Sequence, residues 1–506
     1  MHRSLVRAAL VSSVVWGCSV VVEPDASRGP APEPRGGGSP EDAATSGDAG
    51  SALESEAGAG GDSGLGLPPP TYTPTRYVTV SASGAGDGSL ANPWTLAQAM
   101  ANAVAGDRVQ VGPGIYTGTN TASRSVPAFN PANSGTAASP IVFFAQHPAV
   151  HSATNRSEIR NGVTMGELGC PTIGTSNRDY IVWDGFYIDE QQSRSHSDTG
   201  PVVIWSSSNV EIARSLVNGR IFVRGDNHSG IRTEGAINPL IRYNRIQNFR
   251  DPTPARNTTA FTMYDTRGLV FEHNDLVDND SGLYLKGQHE DAVLNAEADV
   301  RFNRIVRNHA ALGRGITGVV ALGLTDTTLP GIGRSHVHQN IIVGYNNSIA
   351  TNAVAPNHPR LVGFYNNTVY DCGVGIGILQ STSGDGYRDT FFRRNLSSNT
   401  THGIYSETVS AAGFVAYQGL GFDIDDNWFH QYGTFANTSA GALTLAAWRT
   451  QTGFDMASNE GDPQFVNAAA GDFHLQPGSP ARTAATGGGP VGAYITGTET
   501  IGVGSR

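Results

Sequence analysis

The sequence has no excess of positive charge and almost no lysine. Its 506 residues include 33 lysines and arginines against 44 acidic residues, which gives a formal net charge of −11. A protein that binds nucleic acid shows a basic face or patch. The composition therefore excludes nucleic acid as a partner. Lys286 is the single lysine among the 33 basic residues.

The sequence also lacks the residue pattern of long helices. It contains 63 glycines, and glycine or β-branched residues interrupt every run in which apolar residues recur at three-to-four spacing. This pattern excludes α-helical repeats, although the chain does repeat. The repeating unit must therefore be built from strands.

A six-residue phrase with asparagine at its fourth position recurs along the chain. An apolar residue lies three positions before the asparagine and another lies two after it, as in a strand interrupted by a turn. Successive copies are 27 to 37 residues apart, a period typical of stacked units. Each copy therefore marks one coil of a solenoid. The strong copies centre on Asn244, Asn274, Asn303 and Asn340, and the weaker ones on Ser215, Asn367, Asn395 and Asn427.

The repeated asparagine suggests how each coil turns. Asparagine tolerates the left-handed backbone region, and its side chain can bond to its own backbone or to the equivalent asparagine of the next coil. If the asparagines stack, the flanking charges stack as well, about 4.8 Å apart. Both flanking rows alternate in sign, which favours pairing between coils. The rows are Arg242, Glu272, Arg301 and Arg245, Asp275, Arg304.

The N-terminal region has a different composition from the repeats. Residues 1–18 combine Arg3 and Arg7 with a short apolar stretch, which predicts a signal peptide because the stretch is too short to span a bilayer. Residues 15–18 resemble a bacterial lipobox, so lipidation of Cys18 is expected. Residues 19–75 are acidic and rich in Gly, Ser and Pro, which predicts a disordered tether. We expect an exported protein, either an outer-membrane or cell-surface lipoprotein or a secreted one, with membrane contact through the lipid alone.

The two ends of the body, residues 76–500, resemble a known superfamily. The body begins with RYVTV at 76–80, a glycine-rich turn at 84–88, an amphipathic stretch at 96–104 and GDRVQV at 106–111; it ends with DPQFV at 462–466, GDFHL at 471–475 and GSPA at 478–481. These segments resemble the entry and closing coils of the pectate-lyase-like superfamily. The resemblance implies an all-β, single-stranded right-handed parallel β-helix with a short N-terminal capping helix. Its members include lyases, hydrolases, epimerases and binding proteins, so the fold does not give the function.

The two cysteines of the body are predicted to be separate. Cys170 and Cys372 lie about seven coils apart, which is roughly 30 Å at the coil spacing. A disulfide requires Cα atoms within about 7 Å. Both are therefore expected to be buried thiols.

Lys286 is the strongest candidate for chemistry. Arginine cannot be deprotonated in a protein, whereas lysine can serve as a base. A chain that otherwise uses arginine for positive charge therefore makes Lys286 a candidate base, the alternative being a surface lysine retained by chance.

Strand alignment places Lys286 in a polar groove. Alternation turns Tyr284 and Lys286 outward. Aromatic faces stack on sugars and cations pair with uronate carboxylates, which suggests an acidic polysaccharide. The two predicted outward rows are Arg232, Thr262, Tyr284 and Glu234, Tyr264, Lys286, with Asp265 beside them and Arg314 on the next coil.

These residues suit β-elimination of an acidic polysaccharide. That reaction needs a cation on the substrate carboxylate, a base, and an acid for the leaving oxygen. Lys and Arg on nearby coils look like the chondroitinase B and alginate lyase family, although the calcium-binding pattern and the Lys and Arg motifs of that family are not found residue for residue. We predict Lys286 as the base, Arg232 or Arg314 on the carboxylate, Tyr284 or Tyr264 as the acid, and Glu234, Asp265 and Trp205 as substrate-binding residues.

Metal sites are weakly indicated. Asp278 and Asp280 could bind calcium through oxygen ligands, although polar residues at a turn are an equally simple interpretation. His336 and His338 share one strand face, but without a third ligand they are expected to be surface histidines. No cofactor is firmly predicted, and calcium is the one that the residues allow.

Two function classes remain open from the sequence. The motifs of β-helix polygalacturonases, which need paired carboxylates, and the Asp-Pro-His of alginate epimerases are both missing. The first hypothesis is a lipid-anchored polysaccharide lyase-like enzyme. The alternative is a noncatalytic β-helix that binds glycan or builds the cell surface. Either is expected to act as a monomer on polysaccharide.

Overall fold

A computed structural model describes most of the body. It covers residues 71–119, 123–151, 154–162, 171–190, 198–222, 227–252, 257–287, 296–322, 333–353, 361–381 and 387–504. The predicted signal peptide with Cys18, nearly all of the predicted tether, and Cys170 lie outside the described residues.

Three series of strands form the walls of a solenoid, named here faces 1, 2 and 3 in the order in which each coil visits them. Face 1 is a 12-stranded sheet. Its strands are Arg76–Val78, Arg108–Val111, Ile141–Ala145, Ile181–Asp184, Glu211–Ala213, Leu240–Arg242, Leu269–Glu272, Ala298–Arg301, Ser335–His338, Val362–Tyr365, Phe391–Arg393 and Asp423–Asp425.

Faces 2 and 3 together form a 21-stranded sheet. Face 2 contains Gly114–Gly118, Ser157–Asn161, Tyr187–Asp189, Leu216–Asn218, Arg245–Gln247, Asp275–Val277, Arg304–Val306, Ile341–Val343, Thr368–Tyr370 and Asn459–Glu460. Face 3 contains Ile173–Ser176, Val202–Trp205, Ser229–Glu234, Thr259–Tyr264, Leu283–Lys286, Gly315–Leu322, Tyr345–Ala353, Val374–Ser381 and Gly441–Leu443. Two long strands, Leu396–Tyr405 and Trp428–Thr438, run through both faces.

Strands of successive coils pair in parallel and in the predicted register. Arg242 pairs with Glu272 and Glu272 with Arg301 on face 1, while Arg245, Asp275 and Arg304 are in register on face 2. The Arg301 guanidinium lies 2.8 Å from the Glu272 carboxylate. Both predicted charge rows are therefore confirmed.

The asparagines stack as predicted. Nδ2 of Asn244 donates to Oδ1 of Asn274 at 3.1 Å, and Nδ2 of Asn274 donates to Oδ1 of Asn303 at 3.1 Å. The same Asn274 amide also donates to the carbonyl of Ile241 at 2.9 Å. This ladder satisfies backbone groups that the coil geometry buries. It continues through Asn340, Asn367, Asn395 and Asn427 to Ser458.

The ladder asparagines are not the residues that turn the chain. The left-handed backbone belongs to the residue before each one, with φ of 56° at Tyr243, 53° at His273 and 55° at Phe302. The asparagine is fully buried and its amide is engaged between coils, so the preceding residue makes the turn and points outward. Its ring stacks on the next coil: Tyr243 on His273 at 4.9 Å and His273 on Phe302 at 5.0 Å.

Helices lie at both ends of the described body. Leu96–Asn102 begins with a capping box between Thr95 and Gln98 and buries Leu96, Ala99 and Met100 in the core. Trp448 packs edge-to-face on Phe414 at 5.1 Å. No helix of the described residues is long and apolar enough to cross a membrane. The remaining helices are His309–Leu312, Ala411–Gln418 and Leu445–Thr452, with short 3-10 turns at Ala149–His151, Ala468–Ala470 and Pro480–Arg482.

The C-terminal segment, residues 462–504, does not form closing coils. Phe465–Asn467 pairs antiparallel with Asp472–Leu475, and the chain then folds back along the outside of face 2. Gly492 N donates to the Arg394 carbonyl at 2.9 Å, and Gly502 N donates to the Phe302 carbonyl at 2.7 Å. The expectation of closing coils was wrong because this segment carries apolar residues that cover an apolar outer surface rather than continue the core. That surface includes Trp428, Leu396, Ile341 and Tyr370.

Cys372 is a buried free thiol, as predicted. It is completely inaccessible, and burial raises the pKa of its thiol to about 12. The thiol therefore acts as a small apolar side chain in the core.

Asp455 ends the asparagine ladder and makes stability depend on pH. Burial raises its pKa to about 7, although Ser458, Trp448 and Asn427 donate to its carboxylate. Because this pKa lies above that of the unfolded chain, the stabilising contribution is present at acid pH and lost as pH rises through about 7. We expect the free energy of unfolding to fall between pH 5 and pH 8 by on the order of 2 kcal/mol more in the wild type than in Asp455→Asn. Equal pH profiles from denaturant titrations of the two proteins would contradict this assignment.

Candidate functional site

The predicted groove residues lie together on the outside of face 3. Arg232 is in register with Thr262, and Thr262 with Tyr284. Glu234 is in register with Tyr264 and with Trp205 of the preceding coil. Lys286 follows at the end of the strand Leu283–Lys286. Strand alternation therefore brings these residues to one surface, named here the Lys286 cluster.

Lys286 is held over two tyrosine rings. Its Nζ lies 5.2 Å from the ring centre of Tyr264 and 5.4 Å from that of Tyr284. Nζ also donates a hydrogen bond to Oδ1 of Asn227. Cation–π contacts and an amide acceptor fix the amine in place, and the side chain remains partly exposed. The amine is therefore positioned at the surface of the cluster.

Arg232 lies beneath this surface. Its side chain is 1% exposed and forms hydrogen bonds with the Glu234 carboxylate at 2.6 and 3.0 Å. Burial lowers the pKa of Arg232, but Glu234, Tyr264 and Asp198 outweigh it, and the net shift is upward. Arg232 is thus a permanent buried cation paired inside the protein. In this position it does not reach a polymer on the surface, which contradicts the predicted direct contact with a substrate carboxylate.

The aromatic residues differ in access. Tyr284 is 7% exposed and its hydroxyl lies 3.2 Å from Oγ of Ser281. Tyr264 and Trp205 are partly exposed. The Arg232 guanidinium lies 4.5 Å from the ring centre of Tyr264. Of the two predicted acids, Tyr264 is therefore the one that faces solvent beside Lys286.

Four residues of the cluster were not predicted from the sequence. Nδ2 of Asn257 donates to Oδ1 of Asn227 at 2.9 Å, and Nδ2 of Asn227 donates to Oδ1 of Asp198 at 2.9 Å. Arg124 lies 3.6 Å from Asp198 and 5.6 Å from the Trp205 ring centre. The sequence signal for three of them was a constant offset, because Asp198, Asn227 and Asn257 each stand four residues before paired strand positions. Arg124 had no such signal.

Two other predicted residues are placed differently. Arg314 precedes the strand Gly315–Leu322, whose far end, Leu322, pairs with Lys286. Its guanidinium lies 3.5 Å from the Asp371 carboxylate. Arg314 is therefore at the opposite end of the strand and outside the Lys286 cluster, contrary to the prediction. Asp265 lies at a left-handed turn after Tyr264, where its N–H donates to the Gly287 carbonyl at 3.2 Å.

The candidate metal ligands are occupied by protein contacts. Asp280 accepts from Arg307 at 3.0 Å and from the N–H of Asp251 at 2.6 Å. Asp278 accepts from the N–H of Asn308 at 2.9 Å. Within the described residues no group of three His, Cys, Asp or Glu side chains could hold a metal ion. The geometry of Asp278 and Asp280 is thus that of a braced turn.

The histidine pair of face 1 also has a structural setting. Nε2 of His338 lies 2.9 Å from Oδ1 of Asp299. The His338 ring stacks on Tyr365 at 4.7 Å, and the His336 ring meets the same Tyr365 edge-on at 5.9 Å. Both histidines belong to a ladder of rings along face 1.

Comparison with solved structures identifies the architecture. A pectate lyase aligns over 83% of this chain and 96% of its own, with a TM-score of 0.50 and 14% sequence identity. The chain is a parallel β-helix protein. A mannuronic acid specific polysaccharide lyase of family 6 from human gut microbiota aligns over 69% of this chain and 75% of its own, with 11% identity and a TM-score of 0.41. An exopolygalacturonase from Thermotoga maritima aligns over 74% and 94%, with 10% identity and a TM-score of 0.41.

The likeness extends to the β-helix fold alone. No protein-family model and no characterised protein sequence matches the chain. One fold supports many chemistries, so the function of this β-helix has to be argued from the Lys286 cluster itself.

Proposed function

We propose that this β-helix is a carbohydrate-active enzyme that cleaves an acidic polysaccharide by β-elimination at the Lys286 cluster. The observation that carries the proposal is the position of the Lys286 amine, partly exposed and 5.2 Å from the ring centre of Tyr264. Lysine can supply a base and tyrosine an acid. The two groups required for proton transfer are thus adjacent on one surface.

The elimination step assigns one task to each group. A neutral Lys286 takes the proton from the carbon next to the uronate carboxylate, and those electrons form a carbon–carbon double bond. The bond to the glycosidic oxygen breaks, and Tyr264 gives that oxygen a proton. The products are a new non-reducing end with a double bond and a new reducing end, with no water consumed.

The substrate carboxylate needs a cation during this step. Arg232 is buried against Glu234, so we assign carboxylate binding to Arg124, whose side chain is 36% exposed. Arg124 is linked to Lys286 through Asp198 and Asn227. Trp205 lies next to Arg124 and offers a ring face to a sugar. Arg232 supports the site as a buried positive charge beneath Tyr264.

A second candidate function is favoured by the internal pairing of the cluster. Arg232 is neutralised by Glu234 and Lys286 is held by Asn227. A surface organised in this way can also bind an acidic glycan without chemistry. This alternative is a noncatalytic glycan-binding or cell-surface β-helix.

Several finer features belong to the same proposal. We propose a right-handed helix, because parallel crossover connections are overwhelmingly right-handed, with Leu96–Asn102 covering its N-terminal end. We further propose export of the chain, lipidation at Cys18 and action as a monomer.

The proposal is tested by incubating the protein with uronate polymers, with and without calcium, and following the ultraviolet absorbance of the unsaturated product. We expect absorbance to rise with at least one uronate polymer and to stay flat with a neutral glucan. Lys286→Ala should abolish the rise, whereas Arg393→Gln on face 1 should leave it unchanged. Binding of a uronate without any rise in absorbance would favour the noncatalytic alternative.

A further inference from the structure

The outer surface of face 2 changes character along the solenoid. In the later coils, from Asp275 to Trp428, the C-terminal segment covers it. Gly502 approaches Asp275 and Arg304 so closely that an added Cβ would lie 2.2 Å from Oδ1 of Asp275. The first five coils lie beyond the reach of this cover. Their outward surface on face 2 is named here the open half.

Arginine side chains dominate the open half. Arg160 pairs with Glu158, and Arg220 lies 2.9 Å from the Asp189 carboxylate. The guanidinium side chains of Arg160 and Arg220 are 34% and 49% exposed, whereas the carboxylate side chains of Glu158 and Asp189 are 9% and 7% exposed. The acids thus lie against the sheet and the cations face solvent.

Two further arginines extend this layer. The Arg156 guanidinium lies 3.3 Å from the ring centre of Tyr187. Nε of Arg245 donates to Oε1 of Gln247 at 2.7 Å. Four arginines against two carboxylates leave a local positive charge on a chain whose net charge is −11.

Neutral hydrogen-bonding groups connect the charges along the helix axis. Nδ2 of Asn218 donates to Asp189 at 3.1 Å, and Nε2 of Gln247 donates to Oδ1 of Asn218 at 2.9 Å. At the first coils a shallow cavity of about 390 Å³ lies between Ile115 and Arg156. Ile115 is 51% exposed there. The open half therefore combines cations, amides and an apolar edge over successive coils.

We propose that the open half of face 2 is a binding surface for a linear acidic polysaccharide, separate from the Lys286 cluster on face 3. Arginine binds carboxylates through paired hydrogen bonds, and a polyuronate presents a carboxylate on every sugar. Coils repeat about every 4.8 Å, so cations on several coils contact successive charges of one extended chain. Amides and the exposed apolar side chain suit sugar hydroxyls and ring faces better than they suit phosphates. The surface retains the polymer on the protein while another part of it is processed.

The proposal is tested by measuring the dissociation constant of the full-length protein for polygalacturonate and alginate, with neutral dextran and a single-stranded DNA oligonucleotide as comparison polymers. The variants are Arg160→Gln combined with Arg220→Gln, and Arg245→Gln alone. The second breaks no ion pair among the described residues, so it reports on binding even if the first unfolds. Arg393→Gln on face 1, which also removes one arginine charge, is the matched control.

We expect the double variant to bind uronate about tenfold more weakly and Arg245→Gln to bind more weakly by a smaller factor. Binding should weaken with added salt, and Arg393→Gln should bind as the wild type does. Lys286→Ala should retain this binding even if it loses elimination activity, which separates this proposal from the proposed function. Unchanged uronate binding in both open-half variants would overturn it, as would DNA binding that is equally tight and equally dependent on Arg245.

Discussion

Replacing Lys286 by arginine is expected to lower turnover on a cleavable uronate polymer by about 10² to 10⁴, the usual contribution of a general base. Arginine keeps the positive charge but cannot release its proton. The contacts of the cation with the Tyr264 and Tyr284 rings can form with either side chain. Folding should therefore be unchanged, and the loss should appear in kcat rather than in the binding of the polymer.

The control for this experiment is Arg393→Lys, an exchange of the same two residue types on face 1. Arg393 pairs with Asp423 at 2.6 Å, far from the proposed chemistry in the order of the faces. Its turnover should equal that of the wild type. Full activity in Lys286→Arg would end the assignment of Lys286 as the base, since only the loss of charge in Lys286→Ala would then matter.

Replacing Asn274 by leucine is expected to destabilise the protein by about 3 to 5 kcal/mol. Asn274 is completely buried. Its amide donates to the Ile241 carbonyl and to Asn303, and its oxygen accepts from the N–H of Asn244. Leucine would leave these buried groups without partners, at about 1 to 3 kcal/mol each. Denaturant unfolding followed by circular dichroism measures the change.

Asn102→Leu provides the matched comparison for the ladder variant. Asn102 is the exposed last residue of the helix Leu96–Asn102. An exposed substitution of this kind should change the free energy of unfolding by less than about 0.5 kcal/mol. A loss at Asn274 no larger than that at Asn102 would show that the ladder contributes little to stability.

The repeat itself was readable from the sequence because local rules set it. A fixed pattern around each asparagine gave the coil period, and alternation of charge at Glu272 and Arg301 gave the register that the strands show. The outward rows on face 3 followed from the same alternation. Parallel stacking converts short sequence patterns into three-dimensional neighbours, since each coil contacts mainly the coils beside it.

Features that depend on contacts between coils escaped the sequence. The left-handed turn belongs to Tyr243 and not to Asn244, because the amide ladder fixes the asparagine between coils. Alternation predicted Arg232 to be outward, but it could not show that Glu234 and Tyr264 bury it. Arg124 reaches the cluster from a loop far away in the sequence, where no period gives its position.

The proposed β-elimination is tested most directly by the masses of the products from an oligouronate of defined length. Elimination predicts that the masses of the two fragments add up to the mass of the substrate, with the unsaturated fragment one water lighter than the corresponding saturated oligosaccharide. Lys286→Ala should give no fragments. Fragments whose masses add up to the substrate plus one water would show hydrolysis instead and would contradict the mechanism.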